Sequence, residues 1–284
     1  MLLGYEADTD LAGIRVVASD MDATLLADDK SMPAGMPERI RALNDAGVTF
    51  VAASGRPLYT LRGMFEGLDD EMGFVSDNGA AVVCRGEVVF KSLIAPETVD
   101  ELLDFTLGRG LGIPTVCGLD ACYVRTCDRS YDEFFHTFYR NIVYLDELEG
   151  LCARGVEVNK YTVYLPEANA VEACATEFAP SFGERLSVTC GGPVWVDVMN
   201  YGVDKGAGLA RLCEHLGVSA ADVAAFGDTD NDAQMLELVG HSYLMANAEA
   251  RMEPHARFRA PSNNDRGVAV VTDRILAARR AQLG

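Results

Sequence analysis

Short apolar runs and helical spacings alternate along the first third of the chain. "IRVVASD" reads as a buried strand, and "PERIRALNDAG" as a helix with Pro37 in its first turn and Gly47 as its stop. "VTFVAASGR" is a second buried strand ending at Ser54, and "PLYTLRGMFEGL" a second proline-opened helix. "MGFVSDNGAAVVCRGEVVFKS" follows as a strand and a hairpin turned at Arg85-Gly86. Strand and helix alternating at this rhythm predict a parallel α/β sheet. From about Leu93 the pattern changes to helix, short strands, an aromatic-rich segment and then strand-helix-strand-strand. "KYTVYLP", "LSVTC" and "VWVDVM" are the clearest strands there, with "EANAVEACATEFA" a helix between the first two. The earlier rhythm then returns: "DKGAGLARLCEHLG" is an amphipathic helix, "ADVAAFGD" a strand running into acids, and "NDAQMLELVG" a helix. The expected organisation is an α/β core built from residues 1–92 and 200–284, interrupted by an inserted domain over 93–199.

The polar residues fall where that pattern makes them informative. Asp20, Ser54 and Asp228 each follow an apolar strand directly. The carboxyl ends of strands in an open parallel sheet line one crevice, so three strands deliver an acid pair, a hydroxyl and an acid cluster to one place. In "DMDATL", Asp20 and Asp22 would share one face of a continuing strand and repel each other. A cation or a change of protonation has to relieve such a pair. In "GDTDND", Gly227 permits a tight turn. Asp230 there reads as an ordinary helix-capping residue. Asp228, at the strand end itself, reads as a metal ligand, and oxygen donors without His or Cys nearby favour magnesium over zinc. Lys205 stands where a helix should begin, an unfavourable place for a cation unless an anion lies close. A bound phosphate would be such an anion.

Composition narrows the classes. The chain has 284 residues, enough for two domains, and a net charge of −19, which argues against a nucleic-acid partner. "MLLGYEADTD" lacks the features of an export signal, and no apolar segment reaches membrane-spanning length. The eight cysteines form no CxxC pair, so free thiols in a cytoplasmic protein are expected.

"DMDATLL", "ASGRP", "SDNGA", "VDKGAGL" and "FGDTDNDAQML", in this order, resemble the motifs of the haloacid dehalogenase-like superfamily. "MANAEARMEPHA" and "PSNNDRGVAVV" resemble the C-terminal signature of its Cof-type sugar-phosphatase branch. The resemblance implies a Rossmann-like parallel-sheet core with an inserted α/β cap. It also implies a magnesium-dependent phosphatase acting on small phosphate monoesters, sugar phosphates above all, through an aspartyl-phosphate. Asp20 would be the nucleophile, and Asp22 the acid for the leaving group and then the base for water. Met21, Ser54, Gly55, Lys205 and Asn231 would surround the phosphoryl group. Asp20, Asp228 and the backbone carbonyl of Asp22 would hold Mg2+, with Asp232 a further ligand or its support. Two carboxylates two residues apart would then be a nucleophile and its proton shuttle, relieved by a metal.

Where the family usually has glycine, this chain has Ala23 and Thr229. The cap would read the leaving group. Aromatics in "DRSYDEFFHTFYRN" could stack on a sugar, although packing is their default role, as it is for Trp195. His136 and Arg140 are weak substrate candidates. A phosphosugar mutase, a receiver module and a phospho-sugar-binding protein without turnover are the alternatives. A receiver lacks an insertion of this size. The partner expected is a small phosphorylated metabolite, with no nucleic acid and no membrane, and the oligomeric state is left open.

Overall fold

The computed structural model describes residues 2–283. The chain lays down β1 (Leu3–Gly4), β2 (Val16–Ser19), β3 (Thr49–Ala53), β4 (Gly73–Ser76), β5 (Ala81–Cys84) and β6 (Glu87–Lys91). There follow β7 (Ile113–Gly118), β8 (Cys122–Arg125), β9 (Ile142–Leu145), β10 (Val158–Tyr164), β11 (Leu186–Cys190) and β12 (Trp195–Asn200). The last strands are β13 (Val223–Gly227), β14 (His241–Met245) and β15 (Phe258–Ala260). The α-helices are α1 (Met36–Asp45), α2 (Leu58–Met64), α3 (Pro96–Arg109), α4 (Asp132–Phe135), α5 (Ala170–Ala173), α6 (Ala179–Phe182), α7 (Lys205–Leu216), α8 (Ala233–Leu238) and α9 (Gly267–Leu283).

Two compact units result. The first holds the chain through Ser54, Phe65–Phe90 and everything from Asp204 onward. Its sheet runs β1-β15-β14-β13-β2-β3-β4-β5-β6, parallel from β1 to β4. β2, β3, β4 and β13 are buried at every position, as their unbroken apolar runs require of strands covered on both faces. Val16, Ala18, Val51 and Val75 pack with Leu209 and Leu212 of α7 and Met235 and Leu236 of α8. Phe50 and Phe74 point the other way, onto Phe65, and α1 and α9 pack together there beside β3. The turn between β5 and β6 is made by Arg85 and Gly86, both left-handed (φ 50° and 79°), the backbone that suits a two-residue hairpin.

The second unit comprises Gly55–Met64 and Lys91–Val203. Its sheet runs β11-β12-β10-β7-β8-β9. α3 and the helical stretch 170–182 cover one face through Val99, Leu102, Leu103, Ala170, Phe178 and Phe182. On the other face Phe135, Tyr139, Tyr164 and Trp195 form a buried aromatic cluster with Phe134 and Phe138 against it. Trp195 and most of the aromatics of "DRSYDEFFHTFYRN" therefore pack. His136 is exposed beside Asp132, and the backbone amide of Arg140 donates to Thr60 Oγ1 at 3.2 Å. No helix among the described residues is long and apolar enough to cross a membrane, and all eight cysteines are free thiols.

Candidate active site

In the first unit β13, β2 and β3 run parallel in register, Phe226 beside Ser19 and Ser19 beside Ala52. The residues just past their ends therefore emerge along one edge. Asp20 donates its amide to Phe226 O at 3.0 Å, and Ser54 donates its own to Val75 O at 2.8 Å. Both side chains are buried. After Asp20 the chain turns tightly: Leu25 N–H bonds Asp20 O at 3.2 Å and Leu26 N–H bonds Met21 O at 2.8 Å. Ala23 closes that turn with φ 59°, a left-handed conformation that costs a non-glycine residue roughly 1–2 kcal/mol. Met21 has a wholly buried side chain and can offer a ligand only its backbone.

Lys205 begins α7 and is completely buried. Its ammonium donates at 2.6 Å to Asp20 Oδ1 and at 2.6 Å to Asp232 Oδ1. The anions that offset a lysine at this helix start are thus two carboxylates of the chain itself. Burial works against the charge of Lys205, but Asp20 and Asp232 together outweigh it and hold the ammonium protonated beyond its ordinary range. Asp232 Oδ2 accepts the backbone amides of Asp228 at 2.9 Å and Thr229 at 3.2 Å, which fixes the turn carrying Asp228. Gly227 makes this possible, because a Cβ there would lie 2.5 Å from that of Asp232. Thr24 donates to Asp228 Oδ1 at 2.9 Å, linking the first turn to the last.

Asp20, Asp228 and Asp232 can each point one oxygen into a group spanning no more than 4.8 Å. Three carboxylates face one ammonium, a formal excess of two negative charges. The imbalance shows in the acids. Burial raises the Asp20 carboxyl well above the ordinary carboxylate range, with Asp232 and Asp228 adding to the rise and Lys205 opposing it. Burial and the charge of Asp232 push Asp228 up to about 7. An all-oxygen donor set short of two positive charges fits a hard divalent cation such as magnesium.

The other predicted residues are placed as follows. The Asp22 carboxylate lies outside this acid group, and Lys30 Nζ donates to its Oδ1 at 2.8 Å, both side chains being partly exposed. Asn231 Nδ2 donates to Asn78 Oδ1 at 3.0 Å. Asp230 is exposed and paired with Arg251 at 3.0 Å. Gly55 falls in the second unit, where its carbonyl accepts from the buried Lys160 Nζ at 2.5 Å. Thr24, Lys30 and Asn78 carry no signal of these contacts in the sequence, although Thr24 lies inside "DMDATL" and Asn78 inside "SDNGA".

A family model described as haloacid dehalogenase-like hydrolase matches residues 17–271. The 5-amino-6-(5-phospho-D-ribitylamino)uracil phosphatase YbjI of Escherichia coli (strain K12) is 30% identical over 273 residues, covering 93% of this chain and 96% of its own. The HMP-PP phosphatase of Cronobacter sakazakii is 27% identical over 82% of this chain and 85% of its own length. Among solved structures, SMU.1108c from Streptococcus mutans UA159 superposes with a TM-score of 0.85 at 26% identity, covering 93% of this chain and 99% of its own.

Proposed function

This chain belongs to the haloacid dehalogenase-like hydrolases and is a phosphatase of that family, and we propose that it is a magnesium-dependent enzyme for small phosphorylated sugars or sugar alcohols. The observation that carries the proposal is the buried Lys205 ammonium shared by Asp20 and Asp232 beside Asp228, at the carboxyl ends of parallel strands. Such a group is built for charge neutralisation, which is most of what phosphoryl transfer asks of a protein.

Asp20 attacks phosphorus in line, its carboxylate oriented by Lys205. The same ammonium, the amide of Met21, the hydroxyl of Ser54 and the carboxamide of Asn231 take up the charge on the phosphoryl oxygens. Asp22 gives a proton to the departing alkoxide and afterwards takes one from the water that cleaves the aspartyl-phosphate. Two transfers with one residue as acid and then base replace a single difficult hydrolysis. Asp20, Asp228, Asp232 and the Asp22 carbonyl would hold the magnesium ion, whose charge, when bound, offsets the repulsion between carboxylate and phosphate.

The preference for phosphorylated polyols rests on the Escherichia coli relative, whose name specifies a phosphoribityl compound. The net charge of −19 disfavours a nucleic-acid substrate. The test is phosphate release from a panel of sugar phosphates, sugar-alcohol phosphates, nucleotides and cofactor phosphates, first with magnesium and then with EDTA. Metal-dependent turnover favouring the polyol phosphates is expected. Full activity in chelator with no bound metal detected would overturn the metal assignment, and a preference for nucleotides would overturn the substrate class.

A further inference from the structure

Between β4 and β5 the chain passes through Asp77, Asn78 and Gly79, three consecutive residues with positive φ (51°, 54° and 95°). Left-handed backbone is unfavourable for L-residues, and Asp and Asn are the side chains that tolerate it best. All three residues are buried. Strain held in a buried turn points to contacts that need it.

Those contacts reach three other elements of the first unit. Asn78 donates its backbone amide to Ser54 O at 3.0 Å, fixing the residue that ends β3. The Asn78 Oδ1 accepts from Asn231 Nδ2 at 3.0 Å, fixing a side chain on the turn before α8. Gly79 lies against the start of α7: a Cβ there would overlap the carbonyl of Asp204, the residue before Lys205, and a Cβ on Gly208 would come within 2.8 Å of the Gly79 Cα. One turn thus touches the backbone or side chain of Ser54, Asn231 and the residue preceding Lys205.

Resting on the reading of Ser54 and Asn231 as phosphate ligands, we propose that Asn78 is a positioning residue that sets both in register for one phosphoryl group. These two bonds do different work. The backbone bond depends on the left-handed conformation, and the side-chain bond orients the Asn231 carboxamide. Asn78 takes one of the two hydrogens on Asn231 Nδ2 and so fixes where the other points, the hydrogen that a phosphoryl oxygen can accept. The Asn231 Oδ1 is buried without a hydrogen-bond partner among the described residues, which leaves Asn78 as the contact that holds this amide.

Asn78→Gly separates the two effects, because glycine adopts positive φ freely and removes only the side chain. The experiment is a double-mutant cycle in the full-length protein with Asn78→Gly, Asn231→Ala and the pair, reading kcat/KM for p-nitrophenyl phosphate with magnesium. Loss of the Asn231 hydrogen bond to a charged phosphoryl group predicts a fall of about tenfold or more in Asn231→Ala, and Asn78→Gly, which frees the same amide, should show a clear part of that loss. The double variant should be no worse than Asn231→Ala, since each removes the same interaction. Wild-type kcat/KM in Asn78→Gly, or losses that multiply in the double variant, would overturn the proposal. A wild-type protein that releases no phosphate would instead count against the phosphatase reading. The Asn231 side-chain amide signal in NMR then decides for Asn78: a shifted, faster-exchanging signal in Asn78→Gly supports it, and an unmoved one overturns it.

Discussion

Burial and Asp232 raise Asp228 from 3.8 to about 7, and that shift has a sign that can be followed into stability. Between those values the folded, metal-free protein holds a proton that the unfolded chain has released. Its stability therefore falls as pH rises from about 4 to about 7 and changes no further from this source. A divalent cation removes the penalty only where the acid has ionised, so magnesium should raise the melting temperature more at pH 8 than at pH 5.5. Equal shifts at both would remove Asp228 from the metal site. Asp22 stands differently, on a partly exposed pair with Lys30 of a kind usually worth no more than about 1 kcal/mol. In Asp22→Asn the loss in forming the aspartyl-phosphate should be smaller for p-nitrophenyl phosphate, whose leaving group needs little protonation, than for a sugar phosphate. Equal losses in single-turnover kinetics would argue against a general acid there. Asp20, Asp228 and Lys205 were legible in the sequence because each follows a strand or opens a helix. Thr24 and Asn78 were not, because their partners, Asp228 and Asn231, lie 204 and 153 residues away.

Strands are what align these groups, and the end of β13 is closely packed. Gly227 closes β13 against Asp232, whose carboxylate ties down the turn of Asp228. Gly227→Ala should destabilise the protein by about 1–3 kcal/mol through overpacking and also lower activity by displacing Asp228. Thermal melts and kcat/KM check this, and an unchanged pair of values would mean the turn has more room than its geometry implies. The core strands were readable because a two-sided parallel sheet demands continuous apolar runs such as "VVAS" and "TFVAA". The helix start at Lys205 was readable too, but the anions that offset it were not. Asp20 and Asp232 come from two other segments, and a sequence shows no contact between segments. Ala23 is a further case: its left-handed φ of 59° follows from the hydrogen bonds that close the turn around it, and alanine itself gives no sign of it.

At the scale of the whole molecule, the acids, the lysine and the asparagine assigned to chemistry all lie in the first unit. Discrimination among leaving groups is therefore the role expected of the inserted segment 93–199. Replacing it with a short linker should abolish preference among phosphate esters while sparing some metal-dependent hydrolysis of a small activated ester. Helix α2, which clusters with the second unit, would lose partners in that variant, so circular dichroism has to confirm a folded core first. Unchanged selectivity would mean that the first unit reads the leaving group. The proposed chemistry is covalent: the phosphoryl group passes through Asp20. In Asp22→Asn, p-nitrophenolate still departs but water lacks its base, so the intermediate should accumulate. Acid quenching after incubation with p-nitrophenyl [32P]phosphate and magnesium should give label approaching one equivalent per chain, mapped by peptide analysis to Asp20 and absent from the Asp20→Asn/Asp22→Asn variant. Label on another residue, or rapid phosphate release with no labelled protein at any time, would rule out Asp20 as the nucleophile.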